Sequence, residues 1–290
     1  MLVVTPLAAM RAHARAARKD GRRIGLVPTM GFLHGGHLAL VAEARRRSAL
    51  VVMSVFVNPL QFAAGEDFTR YPRDLDRDRR LAAGAGVDVL WTPLADEMYP
   101  RQPQVTVSPG AIGDRLEGAS RPGHFTGVLT VVLKLFAVAE PDVAVFGRKD
   151  FQQAALIRRM AADLNLLVDI VVAPTVRGND GLALSSRNVY LSAASRAKAA
   201  ALPRALGRAV EVFRAGERHA AAIVAAARAV LDGSGAVVDY VACVGPEECE
   251  PVETAGEGSV LVVAARIDGT RLIDNVVLGE GLEGDGRADG

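Results

Sequence analysis

Cysteine is scarce: Cys243 and Cys249 are the only two in 290 residues. They lie close together, with no second pair and no histidine cluster beside them. Neither a disulfide scaffold nor a four-ligand structural zinc site is expected, and two reduced thiols in a cytoplasmic protein are. Long apolar runs are missing too. The stretch from Val128 to Val138 contains Lys134 and falls well short of the ~20 residues that span a bilayer. The N-terminus lacks a charged-then-apolar leader pattern, because Arg11, His13, Arg15, Arg18 and Lys19 interrupt its apolar residues. Neither sign of charge dominates, the formal net charge being +1. No global field therefore draws the chain to nucleic acid or to an anionic membrane. Any chemistry on anions has to place its cations locally.

What is present is the material for a sizeable core, with 50% apolar and 23% charged residues. The length suits one large or two modest domains. Thr5 as N-cap and Pro6 as first residue open a helix to Lys19. A short strand over Arg23 to Pro28, a glycine-rich loop over Thr29 to Gly36 and a helix over His37 to Arg47 follow. Ala49 to Val57 is a continuous β-branched run of the kind buried on both faces of a sheet, ended by Asn58-Pro59. Helices over 74–83, 124–139 and 150–164 alternate with strands over 87–91, 142–146 and 167–173. This alternation implies βαβ units and a parallel sheet. The fold class read from it is α/β, a Rossmann-like parallel-sheet nucleotide-binding domain over residues 1–175. Beyond it, alanine-rich helices over 195–214 and 218–231 precede strands over 237–244, 259–267 and 271–278, with Gly269-Thr270 as a hairpin turn. These form a smaller α+β domain over 176–280. Residues 281–290, within an acidic, glycine-rich stretch starting at Gly279, read as a disordered tail.

In parallel sheets chemistry sits at the carboxyl ends of strands, so the loops after Pro28, Val57, Phe146 and Ala173 matter most. The first carries Pro28-Thr29-Met30-Gly31-Phe32-Leu33-His34-Gly35-Gly36-His37. Glycines and backbone N–H groups at a helix N-terminus suit phosphate, and two of the five histidines share this junction. Histidine N–H groups can stabilise charge developing on phosphate oxygens. Gly147-Arg148-Lys149-Asp150-Phe151-Gln152-Gln153 also joins a strand to a helix. Lys149 can reach a polyphosphate, and Asp150 equally suits a helix cap. Leu184-Ser185-Ser186-Arg187-Asn188 offers two hydroxyls and a guanidinium, an anion clamp or else a polar interdomain loop. Phe56-Val57-Asn58-Pro59-Leu60-Gln61-Phe62 places an amide beside apolar walls, fitting a small hydroxylated ligand or simply ending a strand.

In this order and spacing, together with Tyr71-Pro72-Arg73 and Arg121-Pro122-Gly123-His124-Phe125, these motifs resemble the pantothenate synthetase (pantoate–beta-alanine ligase) family from about residue 1 to 280. The resemblance implies ATP-dependent condensation of pantoate with beta-alanine through a pantoyl adenylate, releasing AMP and pyrophosphate. It also implies magnesium and a cytoplasmic homodimer, with a C-terminal domain that closes over the site. Residue by residue, it puts Met30, Gly31, His34 and His37 at ATP, with His37 acting on the phosphates. Gly147, Arg148, Lys149 and Asp150 bind nucleotide, Lys149 on the phosphates. Val176 offers backbone contacts to adenine, and Leu184, Ser185, Ser186 and Arg187 cover the triphosphate. His34, His37, Lys149, Ser185, Ser186 and Arg187 form the implied catalytic set. Gln61 and Gln153 hold pantoate, Gln61 also touching beta-alanine, and Asp78 contributes to a metal site.

Three positions depart from the family pattern. Gly35 replaces the usual Glu, Arg77 stands where an acid is usual before Asp78, and Leu184 replaces the usual Met. The Arg77 cation is expected to weaken magnesium recruitment. Two other readings use the same motifs. A nucleotidylyltransferase of this fold needs a cationic acceptor site, which the apolar Asn58 to Phe62 segment does not offer. A catalytically silent nucleotide binder, suggested by Gly35 and Arg77, predicts binding without pyrophosphate release.

Overall fold

The computed structural model describes residues 1–287. The chain clusters into two units, one of Met1–Gly147 with Leu156–Ala173, the other of Arg148–Ala155 with Pro174–Gly290. This split falls two residues before the division expected after residue 175, and the segment 148–155, which bears Lys149, counts with the second unit.

In the first unit the elements are β1 (Leu2–Val4), α1 (Leu7–Lys19), β2 (Ile24–Thr29), α2 (Gly35–Arg47), β3 (Leu50–Val55), α3 (Leu75–Gly84), β4 (Val89–Trp91), α4 (Ala95–Met98), α5 (Glu117–Ser120), α6 (His124–Ala139), β5 (Val143–Gly147), α7 (Phe151–Asp163, whose first turn counts with the second unit) and β6 (Asp169–Ala173). All six strands are parallel, in the order β1-β4-β3-β2-β5-β6. Strands β2 and β3 are apolar because both faces are covered. Val27, Val51, Met53 and Val145 pack with Leu40, Val41 and Ala44 of α2. Strand order reverses beside β2, since β3 lies on one side of it and β5 on the other. In such sheets ligands bind outside the carboxyl ends at that point. The expected Thr5 cap does not form. Pro6 is the cap residue, without a side-chain bond, and the Thr5 hydroxyl meets that of Thr92 at 3.1 Å beyond β4.

The second unit holds β7 (Val176–Arg177), α8 (Ala193–Ala199), α9 (Ala201–Arg214), α10 (Ala220–Asp232), β8 (Val237–Val244), β9 (Val260–Ile267), β10 (Thr270–Val277) and β11 (Gly286–Arg287). Strands β10-β9-β8 form an antiparallel sheet. Leu202, Leu206, Val210, Ile223 and Leu231 of the helices share a core with Leu261, Val263 and Leu272. The hairpin turn is Asp268-Gly269, not Gly269-Thr270. Thr270 pairs with Ile267, and both turn residues have positive φ, 47° and 86°. That is the twist-matched geometry for which Asp-Gly is suited.

The tail expectation is corrected over residues 281–287. Strand β11 pairs in parallel with β7, Gly286 N donates to Thr175 O at 2.8 Å, and Asp285 is buried between two arginines. Composition suggested disorder, but the acid is there to neutralise buried cations. Residues 288–290 lie outside the described residues.

Candidate active site

The loop after β2 is held in a conformation that its residues do not adopt freely. Gly31 has φ +83°, and a Cβ there would meet Val55 Cγ1 at 2.8 Å and Asp78 Oδ2 at 3.0 Å, so only glycine fits. Phe32 follows with φ 49°, a strained value for a bulky residue. Thr29 Oγ1 donates to Ser54 O at 2.7 Å and accepts from Gly31 N at 3.2 Å. Asp78, from α3, closes the loop: Oδ2 accepts from Phe32 N and Oδ1 from Leu33 N, each at 2.7 Å.

Asp78 is only 1% exposed, and burial raises its carboxyl above the usual range against the two backbone bonds. Both oxygens accept backbone N–H bonds, which gives the carboxylate a structural role in holding the loop. No cluster of three or more His, Cys, Asp or Glu that could hold a metal occurs among the described residues. The Arg77 departure acquires a reason as well. Its Nη1 donates to Leu33 O at 2.8 Å, and its guanidinium lies 4.9 Å from the Phe32 ring centroid.

Helix α2 starts at Gly35, two residues earlier than expected, and the histidines cap it reciprocally. His34 Nδ1 accepts from Gly36 N at 3.2 Å, and His37 Nδ1 accepts from His34 N at 3.3 Å. The ring centroids are 4.0 Å apart. An Nδ1 that accepts carries no proton, so each neutral ring holds its proton on Nε2. Both rings thus present N–H donors at a helix N-terminus with no acid in its first turn. Gly35 fits this arrangement, since the cap needs no carboxylate.

Gln61 lies in the turn Pro59–Gln61 and is 8% exposed. Asn58 Nδ2 donates to Gly127 O at 3.1 Å and to Gln61 Oε1 at 3.0 Å. Because Gly127 O can only accept, the nitrogen of Asn58 must face it. That in turn fixes Gln61 Oε1 as acceptor and leaves its NH2 as the presented group. Gln61 Nε2 lies 3.2 Å from Met30 Sδ. Tyr99 donates to Asn58 Oδ1 at 2.9 Å, and burial raises its phenol so that it keeps its proton. Behind the turn, Gln61 O accepts from His124 Nδ1 at 2.8 Å and Arg121 Nη2 at 3.2 Å. Arg121 also contacts His124 Nε2 at 3.0 Å and grips Glu66 through two 2.7 Å bonds. Burial and the Arg121 charge push His124 down to about 4, so it is neutral and its tautomer is set. Helix α6 comes close enough that a Cβ on Gly127 would lie 2.2 Å from Leu60 O.

In the second unit Lys149 lies in the turn Arg148–Asp150, with Nζ 3.5 Å from Asp150 Oδ1. Gln153 is half-buried in the first turn of α7. Ser185 caps the turn Ser186–Tyr190, its Oγ accepting from Arg187 N at 3.3 Å. Ser186 is buried. Leu184 N donates to Val176 O at 2.9 Å, which ties this loop to β7 and commits that carbonyl. The Arg148 side chain is engaged within the second unit. Its guanidinium pairs with Asp285 at 2.8 Å and with Glu280.

The structure thus gathers Met30, Gly31, His34, His37 and Gln61 in the first unit, and Lys149, Asp150, Gln153, Val176 and Leu184 to Arg187 in the second. Sequence reasoning gave no role to Asn58, Tyr99, Arg121, His124, Asp285 or Asn275. The Arg121-Pro122-Gly123-His124-Phe125 motif was visible, but nothing local joins it to Gln61 O across 63 residues.

A parallel sheet with a glycine- and histidine-bearing helix N-terminus beyond a central strand defines a nucleotide-handling α/β enzyme. Comparison with known proteins narrows the class. The family model for pantoate-beta-alanine ligase matches residues 2–277. Pantothenate synthetase of Geobacter sulfurreducens is 50% identical over 281 residues, covering 97% of this chain and 99% of that protein. The Heliobacterium modesticaldum pantothenate synthetase is 51% identical over 279 residues, covering 96% and 99%. A crystal structure of the Thermus thermophilus pantothenate synthetase superposes with a TM-score of 0.90 at 47% identity, covering 96% and 99%. A Francisella tularensis pantoate-beta-alanine ligase, complexed with beta-gamma ATP and beta-alanine, gives 0.81 at 32% identity, covering 98% and 100%. The chain belongs to the pantoate–beta-alanine ligase family. Its activity is the ATP-dependent condensation of pantoate with beta-alanine.

Proposed function

We propose that the condensation runs in two steps, with the roles divided as follows. A carboxylate oxygen of pantoate attacks the α-phosphorus of ATP, the bond to the bridging oxygen breaks, and pyrophosphate leaves. The amine of beta-alanine then attacks the acyl carbon, AMP leaves with the acyl oxygen, and the amine loses a proton to give the amide. No protein nucleophile is required. Catalysis of this kind is mostly positioning and electrostatic stabilisation.

The observation that carries this reading is the mutual capping of His34 and His37, which sets two Nε2–H donors at the start of α2. They are pre-aimed hydrogen-bond donors for charge growing on the phosphates, with His37 principal. Met30 and Gly31 line the same loop. Lys149 supplies a point charge to the phosphates, Gly147 and Asp150 flank it, and Ser185, Ser186 and Arg187 cover the triphosphate beside Leu184. Val176 offers backbone contacts to adenine, its carbonyl already accepting one bond from Leu184 N. The presented NH2 of Gln61 suits the hydroxyl or carboxylate oxygens of pantoate and the carboxylate of beta-alanine, and Gln153 is the second pantoate contact.

Magnesium would enter with the triphosphate and supply charge neutralisation there, while Asp78 holds the loop after β2. Among the described residues no helix is long and apolar enough to cross a membrane. A cytoplasmic homodimer remains part of the proposal, with mass by light scattering as its test.

The deciding experiment follows pyrophosphate and AMP with pantoate and beta-alanine added singly and together. Turnover needing both, with ATP–pyrophosphate exchange supported by pantoate alone, is the expected result. Exchange that ignores pantoate would refute the adenylate step.

A further inference from the structure

The turn that bears Lys149 is fastened from behind by the last described residues of the chain. Asn275 Nδ2 donates to both Arg148 O and Lys149 O, each at 2.9 Å. The Arg148 side chain donates to Asp285 Oδ1 at 2.8 Å and to Glu280. Asp285 Oδ2 accepts from Arg177 Nε at 2.6 Å. Arg177 in turn pairs with Asp274, Nη1 to Oδ2 at 2.7 Å, the residue next to Asn275. The chain of contacts therefore closes on itself: Arg148, Asp285, Arg177, Asp274, Asn275, and back to the Arg148 carbonyl.

The ring sets burial against ion pairing: burial pushes the Asp274 carboxyl up while the Arg177 charge pulls it back. Arg177 is 5% exposed and Asp274 2%, and the Asp285 side chain is 4% exposed. Burial works against the charge on Arg177, but Asp274 and Asp285 overcome it and hold the guanidinium protonated. Asp285 answers two cations at once. Removing it leaves Arg148 and Arg177, which share one carboxylate, without their common anion. Arg177 then keeps only Asp274 and Arg148 only the more exposed Glu280, and a buried cation that loses a partner costs more than a lost surface pair.

We propose that Asp285 is a positioning residue for Lys149. It acts through Arg148 to hold the Lys149 turn at the place where the ammonium meets the phosphates, so the segment Glu280–Arg287 is part of the catalytic apparatus although it touches no substrate. This rests on the assignment of Lys149 to the phosphates. The rigidity matters because small misplacements of a charged group are costly: an error of about 1 Å lowers rates on the order of 100-fold.

The test is a double-mutant cycle on the full chain. Single-turnover pyrophosphate formation would be measured for wild type, Asp285→Asn, Lys149→Ala and the double variant, each at varied ATP and at varied pantoate. Asp285→Asn is expected to lower kcat/KM for ATP roughly 10- to 100-fold in the wild-type background. In the Lys149→Ala background it should change nothing further, and the KM for pantoate should stay constant in both. A general loss of structure would instead lower the rate equally in both backgrounds and disturb the pantoate KM, which would count against the inference. Equal losses in both backgrounds, or a silent Asp285→Asn beside a damaged Lys149→Ala, would overturn the inference and leave the Lys149 role standing. A silent Lys149→Ala would remove that role and the inference with it. If Asp285→Asn does not fold, Arg148→Gln takes its place, because it cuts the link while keeping both Arg177 pairs, and the same outcomes apply.

Discussion

Asp78→Ala tests whether the carboxylate is a loop latch or a metal ligand. The wild-type carboxylate answers two backbone N–H groups at 2.7 Å from a site that is 1% exposed. Alanine strands both donors out of reach of water, at about 1–3 kcal/mol each. The expected loss is therefore about 2–6 kcal/mol of local stability. Asp78→Asn keeps one acceptor and turns an NH2 toward the other donor, so about half that loss is expected. The burial that raises the Asp78 carboxyl acts in the same direction, since a neutral amide escapes the desolvation cost of the anion. The loop released is the one that sets Phe32, Leu33 and the His34 cap, so adenylylation should fall with it. Pyrophosphate release would be titrated with magnesium alongside thermal melts. The latch predicts a lower melting temperature for Asp78→Ala and a rate defect that no magnesium concentration repairs. A normal melting curve with activity restored by excess magnesium would refute it and reinstate Asp78 as a ligand.

His37→Asn keeps an acceptor where Nδ1 stood and removes the Nε2–H. It should retain the far-UV circular dichroism and melting curve while adenylylation falls roughly 100- to 1,000-fold, the scale for losing one charge-stabilising donor. Lys149→Ala should lower pyrophosphate release by orders of magnitude with the fold intact, and near-normal release from either variant counts against the site. Gln61→Ala should mainly raise KM for pantoate, and a change confined to the ATP term would move the acid pocket elsewhere. His124 titrates near 4 in the fold against 6.5 for an ordinary imidazole. The unfolded chain therefore binds the extra proton first, and the stability that this group contributes is present above pH ~6.5 and lost on descending toward pH ~4, about 3 kcal/mol in all. Denaturant titrations across that window should show the loss in wild type and a flatter profile in His124→Asn, and identical profiles would discard the assignment.

The central sheet was legible because parallel strands covered on both faces must be apolar along their length, and Leu50–Val55 and Val143–Gly147 declare themselves by that alone. Two of the shortest strands did not, although three-residue Val89–Trp91 fell within the strand expected over 87–91. Leu2–Val4 and Val176–Arg177 are too short for any period, and their pairing partners lie 87 and 110 residues away. The two histidines and Gln61 were picked out as chemistry-bearing residues in loops after strands. That the histidines cap one another was not foreseen, because imidazole is an uncommon cap and Ser, Thr, Asp or Asn is the usual signal. The family resemblance put Asp78 at a metal, and its burial and two backbone partners emerge only once α3 lies against the loop. The acidic terminal segment misled for a simpler reason. Low apolar content predicts disorder only when the charges have no buried partners, and Arg148 and Arg177 could not be known as buried from sequence.

Arg148 and Asp285 are 137 residues apart in the chain. On a ribosome adding 5–20 residues per second, the guanidinium waits on the order of 10 to 30 s for its carboxylate. Until then two arginines destined for one interior have no shared anion, and the Lys149 turn has at most its Asn275 bonds behind it. The first unit's sheet is complete by Ala173 and can form while synthesis continues. Competence for the reaction therefore arrives in a final event rather than by gradual accretion, and a stalled or clipped product that ends before Asp285 would accumulate as folded sheet without a working lysine.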